Sequence, residues 1–119
     1  MKYTITISQI GLARLSKIVG QKLDIIDGAL LDYLLVWTHS SNDKIERITI
    51  EENGNKEEFV WVGLNHFIEE MPCLGLNFKS GISQRLLRLE KLGLIKKQKR
   101  GDRLYIKVCP LVQELYFYK

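Results

Sequence analysis

The chain is short of the residues from which small domains build covalent or metal staples: among its 119 residues are two cysteines, Cys73 and Cys109, and two histidines, His39 and His66. No Cys-x-x-Cys pair occurs, and no two of these four side chains share the short spacing of a zinc finger or ribbon. A disulfide framework and a bound metal are therefore not expected, and the thiols read as small buried groups in a reducing compartment. His66 with Glu69 and Glu70 spells H-x-x-E-E, which lacks the second histidine of a helical zinc site and reads as an exposed polar face. Long apolar runs are also missing; the one around Leu34 falls far short of the roughly 20 residues a membrane span needs. The N-terminus alternates polar and apolar residues and has no continuous apolar signal segment, so a cytoplasmic protein is expected. No phosphate-binding glycine loop appears, and the carboxylates clustered between Asp43 and Glu58 have no histidine or nucleophile beside them. Enzymatic chemistry has no visible seat, and neither does a cofactor.

What is present is enough for one core. An apolar content of 45% in 119 residues predicts a single α+β domain, with an extension over 1–22, a core over 23–108 and a C-terminal segment over 110–119. Residues 3–7 alternate as a half-buried strand, and Ser8 then caps a short helix ended by Gly20. Asp24, with Asp27 three residues on, opens a helix reaching about Thr38 whose apolar residues cover nearly its whole circumference. Two β-type runs flank Asn53-Gly54 and predict a hairpin, with a loop longer than two residues. A helix from about Leu64 stops at Pro72, and a further helix starts with Ser80 as its cap and runs to Leu92. Gly93 ends it, a hairpin turning at Arg100-Gly101-Asp102 follows, and Pro110 opens an apolar, aromatic helix.

Charge is distributed unevenly along this layout. Residues 79–107 hold ten Lys or Arg against two acids, a net of +8, while the other ninety residues carry a net of −4. One end of the molecule is thus expected to meet a polyanion. The order helix, hairpin, short helix, turn, second helix and basic ribbon describes a winged helix-turn-helix, in which a helix fits the major groove of DNA and a wing neutralises phosphates.

The chain resembles the winged-helix domains of phage and plasmid replication-initiation proteins, of the replisome-organiser type. The resemblance spans about 3–108 and rests on the DIIDGALLDY helix, Trp61-Val62 in the FVWV strand, Pro72 after EEM, the crossover Leu74-Gly75, and KSGISQRLLRLEKLGLI. It implies DNA binding without catalysis. Where family members carry Ser, this chain has Gly63, and where they often continue into a region that recruits replication machinery, this chain ends at Lys119.

The residues expected on DNA are Lys79, Ser80, Ser83, Gln84 and Arg88 in the groove, and Lys97, Lys99, Arg100 and Arg103 on the backbone or in the minor groove. Arg85 and Lys91 either join them or solvate the helix flank. The acidic hairpin reads as a solvated surface turned away from DNA, and Trp37 and Trp61 read as core rather than as base-stacking platforms. The segment Leu111 to Tyr118 either folds back on the chain or pairs with a second copy to form a homodimer. Two other functions fit the same pattern: a small transcriptional repressor using this surface, and a winged helix that binds a protein partner and leaves its basic face idle.

Overall fold

Local capping chemistry sets the first helix boundaries. In the computed structural model, which describes residues 5–38, 45–75 and 79–113 and only the backbone of Cys73, Lys79 and Ser80, helix α1 spans Gln9–Val19. Ser8 Oγ accepts the Gly11 N–H at 3.1 Å, satisfying one of the free amides of the first turn. Helix α2, Ile25–Thr38, opens on a reciprocal box: Asp27 N–H donates to Asp24 Oδ1 at 2.9 Å and Asp24 N–H donates to Asp27 Oδ2 at 3.0 Å. The expected capping role of Asp24 is met, with an Asp in the place usually held by Glu.

The expected strand over 3–7 does not form among the described residues. Residues 5–8 run without a ladder partner, and the Thr6 N–H is taken by Asp32 Oδ2 at 3.3 Å. Alternation made this segment extended, but α2 rather than a sheet edge receives it. Ile7 lies against α2 at Gly28, where an added Cβ would come within 3.1 Å of Ile7 Cγ2.

Strands β1, Arg47–Glu52, and β2, Asn55–Trp61, are joined by Asn53-Gly54 alone, a tighter loop than expected. Both loop residues have positive φ, 52° and 80°, which matches the right-handed strand twist and closes the hairpin with Glu52 opposite Asn55. Helix α3 is Leu64–Glu70, followed by a 3-10 turn at Pro72–Leu74; helix α4 is Lys79–Lys91. Ser80 consequently lies inside the first turn of α4 rather than capping it. Strands β3, Ile95–Arg100, and β4, Arg103–Val108, turn through Gly101-Asp102.

The two hairpins are not independent. Val60 pairs with Ile106 and Trp61 with Tyr105, which joins them into one antiparallel sheet of order β1-β2-β4-β3. Helix α2 is central: every residue from Asp27 to Leu35 is buried. Around it pack Leu15 of α1, Phe67 of α3, Leu86 and Leu89 of α4 and Ile106 of β4. The described fold is thus a small α+β domain with four α-helices and a four-stranded antiparallel sheet. After Val108 the described part of the expected helix is a 3-10 turn, Pro110–Gln113, whose Val112 is fully buried in the chain's own core. This part of the C-terminal segment folds back; the remainder, with any pairing through it, lies outside the described residues. Among the described residues no helix is long and apolar enough to cross a membrane.

Candidate nucleic-acid interface

Helical periodicity divides α4 into three sides. Ile82, Leu86 and Leu89 are buried and fix its inner face. Ser83, Gln84, Leu87 and Lys91 are exposed on the opposite side. Leu87, 43% exposed, was not among the expected contacts; it is the one apolar residue outside the buried stripe that stands on this outer face. The side chains of Lys79 and Ser80, both expected contacts, lie outside the described residues.

The third side meets the start of α2 through charge. Arg85 Nη1 lies 2.8 Å from Asp24 Oδ2 and 3.2 Å from Asp27 Oδ1. Arg88 donates through Nη1 to Asp27 Oδ2 at 2.5 Å and through Nη2 to the Lys22 carbonyl at 2.8 Å. The Asp27 side chain is wholly buried, so these guanidiniums are what a buried carboxylate requires. Burial pushes the Asp24 carboxyl up, yet the hydrogen bond and charge of Arg85, with the Asp27 N–H, outweigh it and hold the group below its ordinary range. Arg88 was expected in a groove; its guanidinium is instead turned toward α2. Arg85 is a clamp between helices rather than a solvated flank.

Strand β3 and strand β4 hold the other expected contacts. Lys97 leans on Glu90, its N–H donating to Oε2 at 3.2 Å and its Nζ lying 4.0 Å from Oε1. Arg103 pairs with Glu46 and stands over the Trp61 ring, 5.2 Å from its centroid, while the Tyr105 hydroxyl donates to Glu46 Oε1 at 2.8 Å. Lys96 and Lys107 share Glu57, at 2.8 and 3.2 Å, and their hydrogen bonds, that of Lys96 the stronger, hold the Glu57 carboxyl below its ordinary range. Of the ten bases in 79–107, six are therefore engaged by carboxylates of the same chain. Lys91, Lys99 and Arg100 form no salt bridge among the described residues.

The acidic hairpin is thus not turned away from the basic one. Because β2 pairs with β4, Glu46 and Glu57 lie against the cations of the β3–β4 hairpin. Sequence distance concealed this: the two hairpins are separated by two helices, and their strands pair at Val60 with Ile106 and Trp61 with Tyr105.

An open cleft of about 770 Å³ runs between α3, α4 and the β3–β4 hairpin, lined by Trp61, His66, Ser83, Lys97, Lys99 and Arg103 among others. A second, of about 450 Å³, is lined by Asp24, Gly81, Gln84, Arg85 and Arg88. Ser83 therefore groups with the β3–β4 cations, whereas Gln84 and Arg88 group with α2.

Of the aromatic residues, Trp37 packs as expected, whereas Trp61 and His66 do not. Trp37 is partly buried against the core, stacks on Tyr33 at 5.9 Å and donates through Nε1 to the Trp61 carbonyl at 2.8 Å. Trp61 is only half-buried and faces the cleft. His66 is not on an exposed polar face: its ring lies 5.9 Å from that of Trp37 and 6.4 Å from that of Trp61. Tyr33 is buried, its hydroxyl has no hydrogen-bond partner among the described residues, and burial, aided by the charge of Glu70, pushes its ionisation up. Among the described residues no group of His, Cys, Asp and Glu could hold a metal ion, and Cys109 is a free, half-buried thiol.

The arrangement offers hydroxyl, amide and ammonium groups for hydrogen bonding and charge pairing. No protein-family model, curated protein or solved structure matches the chain.

Proposed function

We propose that the chain is a winged-helix protein that binds double-stranded DNA without catalysing a reaction, with α4 in the major groove and the β3–β4 hairpin as the wing. The observation that carries this reading is the outward face of α4, Ser83, Gln84, Leu87 and Lys91, beside a hairpin bearing Lys99 and Arg100, which form no salt bridge among the described residues. Ser and Gln offer donors and acceptors to base edges, Leu87 suits a thymine methyl, and the cations suit phosphates. The helix is wide enough to fill a major groove, and its inner face is tied to α2 by packing and by the Arg85 and Arg88 clamp.

The resemblance to replication-initiation proteins makes a mobile-element or phage replication role the preferred setting; repression of transcription would use the same surface. A protein-binding role without DNA is the competing reading, favoured by the internal pairing of six bases. Fluorescence anisotropy of labelled random duplexes, followed by selection of bound sequences, tests the proposal. Salt-dependent binding with an enriched site supports it, and a palindromic site would add a dimer. Absent or salt-independent binding overturns it.

A further inference from the structure

We propose that the acidic β1–β2 hairpin is a built-in competitor for DNA: Glu46 and Glu57 occupy the cations of the β3–β4 hairpin in the free protein, and phosphates must displace them. The inference rests on the DNA-binding reading above and concerns what limits that binding. It starts from strand register. Lys96 faces Lys107, Gln98 faces Tyr105 and Arg100 faces Arg103, and strand alternation puts these three pairs on one side of the hairpin. Two of the three pairs set like charges directly opposite one another, an arrangement that destabilises a ladder. Such a face needs an anion.

In the free protein the anions come from the neighbouring hairpin. Glu57 bridges Lys96 and Lys107, and Glu46 accepts from both Arg103 and Tyr105. The cations stay accessible all the same: the side chains of Lys96 and Arg103 are 52% and 49% exposed. A phosphate can therefore reach them without any rearrangement of the core. Each contact made by DNA here would then replace a salt bridge rather than add one, which lowers both affinity and the number of counterions exchanged. Glu51 is the internal control, because it belongs to the same hairpin, is exposed and forms no salt bridge among the described residues.

The test compares Glu46→Gln, Glu57→Gln, the double variant and Glu51→Gln by anisotropy on one duplex over a range of salt, together with thermal melting without DNA. All three single changes of charge are isosteric, so a pure net-charge effect moves Glu51→Gln as much as the other two. The expected result is about two- to fivefold tighter binding per bridging carboxylate removed at low salt, with the log-log salt slope steeper by about 0.9 for each cation released. Melting should move the opposite way, because the like-charge pairs are left unrelieved, while Glu51→Gln changes neither. Binding by wild type with a double variant no tighter than Glu51→Gln overturns the inference and leaves the DNA-binding reading standing. Binding by no variant at any salt overturns both, whereas binding by the double variant alone supports both.

Discussion

Nη1 of Arg88 lies 2.5 Å from Oδ2 of Asp27, a side chain with no exposed surface. The contact joins the first turn of α2 to α4 across 61 residues of sequence, and it makes the orientation of the proposed recognition helix depend on an acid that never touches solvent. Asp27→Ala would remove the carboxylate of Arg88, one of the two that hold Arg85, and a capping acceptor, for a cost of roughly 3 kcal/mol given that both arginines are partly exposed. Urea unfolding measures this. Asp27→Asn, which keeps one acceptor, should lose clearly less.

Acid should loosen both the α2–α4 clamp and the contact between the two hairpins. The Asp24 and Glu57 carboxyls are held below their ordinary values in the folded protein, by Arg85 and by Lys96 with Lys107. Groups lowered on folding contribute stability that is complete above their unfolded values and is lost as pH falls through the folded ones. Stability should therefore be flat from neutrality to about pH 5 and decline below about pH 4. Asp24→Asn should flatten that decline in a plot of urea midpoint against pH; an unchanged acid limb would refute the assignment.

The internal pairing sets a numerical expectation for DNA binding. Ten free bases would imply a log-log salt slope near −9, but the three that form no salt bridge among the described residues, Lys91, Lys99 and Arg100, imply a slope of about −2.7. Replacing Lys99 and Arg100 with Ala should make it shallower by about 1.8 and weaken all sequences alike. A wild-type slope beyond about −6 would mean that paired cations are released on binding.

The two sides of α4 should separate function from stability. Leu86, 1% exposed, faces the core, and Leu86→Ala should cost about 2–5 kcal/mol. Leu87 is exposed, so Leu87→Ala should leave stability within about 0.5 kcal/mol and alter sequence preference, as should Gln84→Ala. Parallel melting curves and competition binding on a panel of duplexes separate these effects.

A serine at position 63 offers a sharper check of packing against capping. Gly63 precedes α3 with extended backbone and makes no side-chain cap, so Ser would ordinarily help by about a few tenths of a kcal/mol. A Cβ there, however, would come within 2.8 Å of His66 Cδ2, and the His66 ring is held between Trp37 and Trp61. Gly63→Ser should therefore lower the melting temperature. In a His66→Ala background the same change should raise it.

Much of the architecture was legible because it rests on local chemistry. Ser8 and Asp24 announce helix starts through side chains that reach free amides, and Asn53-Gly54 announces a turn because positive φ suits those residues. The buried stripe Ile82, Leu86 and Leu89 is likewise implicit in helical spacing, and it leaves Ser83 and Gln84 outside. Local pattern misled where a partner was needed: residues 5–8 look like a strand but find α2, and His66 looks exposed but finds two indoles.

The sequence by itself thus determined where most elements lie, which face of α4 is buried and where positive charge accumulates, since these depend on residues within a few positions of one another. Only the tertiary structure decided which cations remain available. Arg88 is spent on Asp27, Lys96 and Lys107 on Glu57, and Arg103 on Glu46, while Lys91, Lys99 and Arg100 have no such partner among the described residues. Every one of those partners lies at least 39 residues away along the chain, apart from proximity that the β2–β4 pairing and the α2–α4 packing create. Coulomb interaction depends on distance in space, and a linear charge count carries no information about it.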